Sequence, residues 1–321
     1  MASFKSIVKE LIPTSFHPKL SFASNKIRSM MHTAKRSQME PLNLEQLIPD
    51  LIKGGIRHGD VVMIHSSLSR IGNIKGGAET VIKSILETIS YDGVVAMPVY
   101  TSVDEAIKCM NKDEPIDLRK SRSGTGIISE IFRTMPGVVR SSHPFSSICV
   151  WGNKANEIIS DHAINPYICH ESSPIGKLLK MNVKLIGIGI PLAQGIGIAH
   201  YLEDTWEEFP LEVHAPMFPL KYIDMTGNII ERNIYRCDPE VASTRIETSA
   251  GQWICENLTA FLIKRGIMKC FEYGNANSYI MESRPLINEL KQLAKRGITI
   301  YTTPDKLEEN LLDFNNWYDG W

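Results

Sequence analysis

Segments typical of buried strands alternate with segments typical of helices along most of the chain. Residues 60–65 (DVVMIH) form a β-branched, apolar run typical of a central strand. A polar loop with glycines follows, and residues 78–86 then show a clear helical period. A turn leads to a second apolar run at residues 94–100. This alternation predicts an α/β or α+β protein with a central mixed sheet flanked by helices.

The chain has 321 residues, enough for one large domain or two ordinary ones. The sequence contains no internal repeat and no linker between two apolar regions, so we predict a single domain over residues 41–321. Residues 1–40 are basic and serine-rich and lack the compact apolar core of a secretory signal. We expect an N-terminal extension, in which an arm or packed helix is favoured over a transit peptide.

Charge and cysteine usage exclude several classes of protein. The 35 basic and 36 acidic residues nearly cancel, which argues against a nucleic-acid binder. No apolar run reaches the roughly 18–20 residues that span a bilayer, so we expect a cytoplasmic protein. None of the six cysteines pairs as CxxC, and reduced thiols are favoured over disulfides. The one close Cys/His pair, Cys169 and His170, is adjacent in sequence, which argues against a metal site.

Three local predictions concern the ends and the middle of the chain. Residues 43–57 are predicted to form an amphipathic helix that Asn43 caps. Residues 102–120 are polar and irregular, which favours an exposed loop. Residues 298–301 are predicted to form a last short strand.

The loop at residues 66–77 is the first candidate ligand site. A polar loop after a strand, with glycines at the following helix start, offers free backbone N–H groups that bind phosphate or another anion. An ordinary strand-to-helix turn explains the same residues equally well. The residues of interest here are Ser66, Ser67, Arg70, Gly76 and Gly77.

Residues 185–206 are the second candidate site. An apolar run typical of a buried strand is followed by a Pro- and Gly-rich loop, and then His200 and Glu203 lie three residues apart on one helical face. Because imidazole titrates near neutral pH, His200 oriented by Glu203 can act as a general base. An acidic run follows that would favour a cationic ligand: Glu203, Asp204, Glu207 and Glu208. A solvated acidic helix with a surface histidine is about equally compatible.

Other motifs give weaker or negative signals. His143 precedes Pro144, which favours extended geometry; the residue either faces a site or, as we favour, caps a strand. The glycines at residues 187–189 do not complete a dinucleotide-binding fingerprint, because Leu192 occupies the third glycine position. The sequence has neither a P-loop nor a GxSxG elbow.

Taken together, an ordered set of motifs resembles the aminoglycoside 3-N-acetyltransferase family, also called the antibiotic N-acetyltransferase family. The order and rough spacing hold over residues 45–215. The matching pieces are His65-Ser-Ser-Leu68, Gly76-Gly77, Pro98, Ser123-Gly-Thr-Gly126, Glu130, Arg133, Pro136 to Pro144, Ser147, Gly152, Ser173-Pro174, Gly187-Ile-Gly189 and His200-Tyr-Leu-Glu203.

The resemblance implies a single α/β catalytic domain that transfers acetyl from acetyl-CoA to a sugar amine, directly in a ternary complex. It implies that His200 is the catalytic histidine and Glu203 its acidic partner. We expect acetyl-CoA as the co-substrate and no metal. The expected acceptor-binding residues are Asp204, Glu207 and His143. The expected CoA-binding residues are His65, Ser66, Ser67, Leu68, Arg70, Gly76 and Gly77.

The loop before His200 departs from the family pattern. Family members usually have a shorter loop with Asn-Thr just before Leu-His, whereas this chain has IPLAQGIGIA, with Gly197 near the threonine position. We therefore expect the acceptor to be either an aminoglycoside or a nucleotide-linked amino sugar for a polysaccharide. Two alternatives stay open: acyl transfer through Cys169 beside His170, and an inactive relative that binds CoA or a sugar. A homo-oligomer is possible.

Overall fold

The computed structural model describes residues 39–112, 114–162 and 164–306. The predicted N-terminal extension therefore lies almost entirely outside the described residues. The helices are α1 (Leu44–Lys53), α2 (Leu68–Ile71), α3 (Gly77–Ile89), α4 (Val103–Lys112), α5 (Ile127–Phe132), α6 (Ala155–Ile159), α7 (Pro174–Lys180), α8 (His200–Thr205), α9 (Pro239–Ala242), α10 (Gln252–Lys264) and α11 (Ser283–Ala294). The strands are β1 (Val61–Ser66), β2 (Val94–Pro98), β3 (Ile116–Asp117), β4 (Val139–Arg140), β5 (Ile148–Gly152), β6 (Lys184–Ile188), β7 (His214–Ile223), β8 (Ile229–Cys237), β9 (Met268–Tyr273) and β10 (Ala276–Glu282).

A mixed sheet of seven strands forms the centre of the described fold, in the order β4-β5-β2-β1-β6-β10-β9. Strand β1 pairs in parallel with β2 and β6, and His65 lies opposite Gly187. The outer pairs are antiparallel. Because β1, β2 and β6 are parallel, their carboxyl ends meet at one edge of the sheet, where ligands commonly bind in α/β folds.

The two faces of this sheet carry separate apolar layers. Val62 and Ile64 point to a core built with α1, α3 and α5. Met63 points to the opposite core, which includes the buried residues of the loop before His200 and of α10 and α11. Since side chains alternate along a strand, His65 belongs to the same face as Met63. This alternation puts the histidine of β1 and the His200 segment on one side of the sheet.

A second, three-stranded sheet of order β3-β7-β8 packs its own small core. The prediction of an irregular loop at residues 102–120 was wrong, because α4 and β3 form there. Their few apolar residues pack on β7 and β8: Ala106, Ile116 and Leu118 lie in one cluster with Leu220 and Tyr222. The hairpin formed by β7 and β8, which is distant in sequence, thus buries the few apolar residues of this polar segment.

The predictions for residues 43–57 and 298–301 had different outcomes. Asn43 does cap α1, through a reciprocal pair of hydrogen bonds with Gln46, although the helix ends at Lys53. The strand predicted at residues 298–301 is instead a turn, in which the Thr299 N–H donates to the Thr302 hydroxyl at 2.8 Å. The run is apolar because Ile298 and its neighbours are buried, and burial alone does not distinguish a strand from a turn.

Gly187 provides a test of how the central sheet is packed. A Cβ on Gly187 would overlap the ring of Tyr279 on neighbouring β10, whereas a Cβ on Gly197 would have open space, with its nearest contact at 4.0 Å. We expect Gly187→Ala to destabilise the fold by about 1–3 kcal/mol, as overpacking does. The matched control Gly197→Ala should stay within about 0.5 kcal/mol. Urea unfolding of both variants measures the difference; equal effects would contradict this packing.

Candidate active site

The loop that leads to His200 is apolar because it is part of the core. Two short 3₁₀ turns, Leu192–Gln194 and Gly197–Ala199, connect β6 to α8. Ile196 and Ile198 are 1% and 0% exposed. Tyr279 holds the other side of this loop, since its ring lies over Gly187 and its hydroxyl lies against Gly195 and bonds the Pro191 carbonyl at 3.4 Å. The start of α8 is therefore anchored to the end of β6.

His200 forms a three-residue chain of hydrogen bonds with Glu203 and Tyr301. His200 Nδ1 donates to Glu203 Oε1, and the Tyr301 hydroxyl donates to Glu203 Oε2 at 2.5 Å. The Glu203 side chain is 3% exposed, but that of His200 is 33% exposed. The His200 Nε2 makes no hydrogen bond with any other described residue. A neutral ring with its proton on Nδ1 thus presents a lone pair on Nε2 toward solvent.

Electrostatics favour the charged forms of both partners. Burial by itself lowers the pKa of His200, but the negative charge of Glu203 and the hydrogen bond to it raise the pKa above the ordinary value of 6.5. Burial raises the pKa of Glu203, while His200, Tyr301 and the nearby Arg245 outweigh it and lower the pKa. His200 is consequently a stronger base than a free imidazole.

The loop after β1 approaches the loop after β6. A Cβ on Gly189 would lie 2.5 Å from the Arg70 Cβ, so α2 packs closely on the end of β6. The Ser67 N–H donates to the Ile188 carbonyl at 2.9 Å and is therefore not free for a ligand. These contacts bring the strand-end serines and the His200 loop to one edge of the sheet.

The remaining predicted donor-site residues lie in or beside this same strand–loop–helix unit. Burial lowers the pKa of His65 to about 4, so its ring is neutral at pH 7, and its buried Nδ1 has no partner among the described residues. Leu68 begins α2 and is partly buried. Gly76 and Gly77 have φ of 84° and 62° where the chain turns into α3. Such backbone favours glycine, which explains the residue type independently of a ligand.

The acidic run after His200 divides into a buried and an exposed part. Asp204 is buried, and it accepts hydrogen bonds from His214 Nε2 and from the Cys169 N–H, both at 2.7 Å. Burial raises the pKa of Asp204. Glu207 and Glu208 are exposed. Only these last two carboxylates are free to face an incoming cation.

His143 lies in a buried cluster of histidines and serines. It is 3% exposed, its ring stacks on that of His162 at 5.0 Å, and its Nδ1 bonds the Ser146 hydroxyl at 2.8 Å. Burial, with a smaller effect of His170, lowers the pKa of His143 to about 4. In this arrangement His143 is a neutral, interior residue.

Sequence reasoning missed two residues that complete the site. Tyr301 lies 98 positions from Glu203, and its neighbourhood resembled a strand rather than a site. Arg245 forms an ion pair with Glu247, and its charge acts on both His200 and Glu203. No local pattern marks either residue, because both reach the site only through tertiary packing.

Comparison with known proteins gives the family of the chain. The family model described as aminoglycoside 3-N-acetyltransferase matches residues 63–295. The chain belongs to the aminoglycoside 3-N-acetyltransferase family. It is 30% identical over 179 residues to the SPbeta prophage-derived aminoglycoside N(3')-acetyltransferase-like protein YokD of Bacillus subtilis (strain 168), an alignment that covers 50% of this chain and 65% of YokD.

Two further relatives cover more of the chain. Aminoglycoside N(3)-acetyltransferase IX of Micromonospora chalcea is 24% identical over 265 residues, 77% of this chain and 92% of that enzyme. The solved structure of AAC-IIIb in binary complex with CoASH has a TM-score of 0.68 and 24% identity, over 80% of this chain and 98% of that chain. The predicted family, the mixed α/β fold and the class of N-acetyltransferase are thereby confirmed.

Two features are absent from the part of this acetyltransferase-family member that the structure describes. Within residues 39–112, 114–162 and 164–306, no group of three or more His, Cys, Asp or Glu side chains is arranged to hold a metal ion. Within the same ranges, every helix is too short or too polar to cross a membrane.

The pKa of His200 tests the pairing with Glu203 without any substrate. Glu203→Gln removes the charge that raises the His200 pKa and leaves the burial that lowers it, so we expect the pKa to fall from above 6.5 to below 6.5. NMR titration of labelled histidine measures the change. Asp204→Asn is the matched control, because it should lower the pKa of His214 and leave His200 above 6.5. An unchanged His200 pKa in Glu203→Gln would refute the pairing.

Proposed function

We propose that this chain transfers the acetyl group of acetyl-CoA directly to the amine of an amino sugar, with His200 as the general base. The observation that carries the proposal is the hydrogen-bonded chain of Tyr301, Glu203 and His200, in which the His200 ring is partly exposed whereas the Glu203 carboxylate is buried. A base held in this way typically accelerates proton transfer reactions about 10²–10⁴-fold.

The proton step determines the expected pH dependence. An amine attacks a thioester only in its neutral form, so a sugar ammonium first loses one proton to solvent. As the neutral amine attacks, neutral His200 accepts the second proton of the nitrogen at Nε2, and Glu203 stabilises the resulting imidazolium. Because the pKa of His200 is raised above 6.5, kcat/KM should rise with pH through a value above 6.5 and not below it.

The donor site is proposed at the loop after β1. The strand-end hydroxyls of Ser66 and Ser67, the exposed Arg70 and the glycine turn before α3 suit the phosphates and pantetheine of CoA. His65 would serve there as a neutral hydrogen-bonding ring, because burial keeps it uncharged at pH 7. The CoASH bound to AAC-IIIb supports a CoA donor for this family.

The acceptor site is proposed beside α8. Exposed Glu207 provides a carboxylate for a cationic sugar, whereas Asp204 would act indirectly, since His214 and a backbone N–H occupy both of its oxygens. A direct role for His143 in binding the acceptor stays a prediction, and its burial argues against it. The names of the relatives point to aminoglycosides, and a nucleotide-linked amino sugar is the alternative acceptor.

The environment of Cys169 argues against acyl transfer through this thiol. Cys169 is 3% exposed, and burial together with the charges of Asp204 and Glu203 raises its pKa well above 9. Since the thiolate is the nucleophile, a thiol held in its neutral form is unsuited to attack acetyl-CoA. Neighbouring His170 bonds instead to the Ser172 hydroxyl at 3.0 Å.

A CoA-release assay tests the proposed function. We expect release with acetyl-CoA and at least one member of a panel of aminoglycosides and nucleotide-linked amino sugars. His200→Ala should reduce turnover about 10²–10⁴-fold, because the base is lost. His58→Ala is the matched control and should retain full activity. The His58 side chain is 68% exposed and precedes β1, at the end of that strand opposite to the candidate site.

Two outcomes would contradict the proposal. Near wild-type turnover in His200→Ala would show that His200 is not the general base. Binding of acetyl-CoA with no release on any member of the panel would instead support an inactive relative that binds CoA.

A further inference from the structure

Tyr100 lies at the candidate active site without a role so far. It follows the end of β2 by two residues, at the edge where the parallel strands β1, β2 and β6 end. Its hydroxyl is the nearest heavy atom, at 4.0 Å, to the position that a Cβ on Gly197 would take. Gly197 is three residues before His200. The Tyr100 hydroxyl thus faces the loop that carries the base.

This hydroxyl has no hydrogen bond with any other described residue. Four tyrosines that are more deeply buried differ, because each of their hydroxyls has a protein partner. Those bonds are Tyr222 to the Ser142 carbonyl at 3.1 Å, Tyr273 with Ser84 at 2.7 Å, Tyr279 to the Pro191 carbonyl at 3.4 Å and Tyr301 to Glu203 at 2.5 Å. The Tyr100 side chain is only partly buried, and a hydroxyl at the site that has no protein partner is available for a ligand.

The phenol is held in its protonated form. Burial raises the pKa of Tyr100, and the nearby Cys169 adds to this effect while the charge of Arg245 opposes it. The same Arg245 acts electrostatically on His200 and Glu203, so Tyr100 and this pair have one charged neighbour in common. A neutral phenol donates one hydrogen bond and does not itself release the proton.

The reaction requires a donor for the carbonyl oxygen, and the loop before His200 offers no hydroxyl for this purpose. Residues 190–199, IPLAQGIGIA, contain no side-chain hydroxyl, and the Ser67 N–H is occupied by the Ile188 carbonyl. Attack of an amine on a thioester moves negative charge onto the carbonyl oxygen, and donors aimed at this oxygen accelerate the step. Tyr100 is a free donor at this edge.

We propose that the Tyr100 hydroxyl donates a hydrogen bond to the carbonyl oxygen of the acetyl thioester and to the oxyanion formed from it. The proposal rests on the proposed function. As the amine nitrogen bonds to the carbonyl carbon, the carbonyl electron pair moves to oxygen and His200 takes the amine proton. The pair then returns, the carbon–sulfur bond breaks, and the CoA thiolate receives the proton from His200. The phenol keeps its own proton throughout.

Steady-state kinetics of two variants test this role. Tyr100→Phe should lower kcat about 10²-fold, the loss seen when one oxyanion donor is removed, and leave the KM for acetyl-CoA nearly unchanged. Tyr91→Phe, which changes a tyrosine that is 60% exposed, is the control and should have wild-type kcat. A kcat within twofold of wild type in Tyr100→Phe, or a loss confined to KM, would overturn the proposal.

Rescue distinguishes the hydroxyl from the ring. Gly197 has open space for a side chain, so Gly197→Ser in the Tyr100→Phe background puts a new hydroxyl beside the position that the phenol oxygen vacates. We expect the double variant to regain at least about tenfold in kcat, since one positioned donor is restored. Gly197→Ala in the same background should regain none. Equal rescue by alanine and serine would show that packing, not hydrogen bonding, was lost.

A spectroscopic measurement separates this proposal from the proposed function. The carbonyl stretch of ¹³C-labelled acetyl-CoA bound to the protein should lie at lower frequency in the wild type than in Tyr100→Phe. The same frequency in both proteins, or no binding of acetyl-CoA, would overturn the role of Tyr100. A shifted carbonyl in a wild-type protein that acetylates no amine would reject the proposed transfer and retain the hydrogen bond.

Discussion

The buried carboxylate of Glu203 is the interaction on which the site depends. A carboxylate removed from water is strongly unfavourable unless hydrogen bonds and an opposite charge compensate it. His200 supplies the charge on one oxygen, and the Tyr301 hydroxyl binds the other. This arrangement fixes the imidazole ring and its tautomer, and it raises the pKa of His200 above that of a free histidine. Stability of the buried acid and basicity of the histidine thus arise from the same contacts.

Packing of the loop before α8 fixes where this histidine lies. Ile196 and Ile198 are core residues, and Tyr279 fills the space that Gly187 and Gly195 leave open. The loop therefore forms a packed connection from the end of a central strand to α8, the helix that begins at His200. Its apolar character therefore has a structural cause. The side of Gly197 is open, and the Tyr100 hydroxyl is the nearest group there.

Much of the central sheet was predictable from local patterns. The strand at residues 60–65, the helix after it and the Asn43 cap each depend on short-range periodicity or on a local hydrogen bond. The segment at residues 102–120 was predicted wrongly, because its helix and strand gain their burial from the β7–β8 hairpin more than 90 residues later. The pairing of His200 with Glu203 was within reach of sequence reasoning, since residues three apart share a helical face.

The sequence by itself determined the alternation of strands and helices, the family, and the histidine–carboxylate pair, because each of these is written in neighbouring residues or in ordered motifs. Only the tertiary structure decided which acids are free. Glu203 and Asp204 are adjacent in the chain, yet each is buried against a different histidine, and Glu207 stays exposed. It also decided that Tyr301, Arg245 and Tyr100 reach the site. Burial and long-range contacts assign these roles, and neither is encoded in the local pattern of residue types.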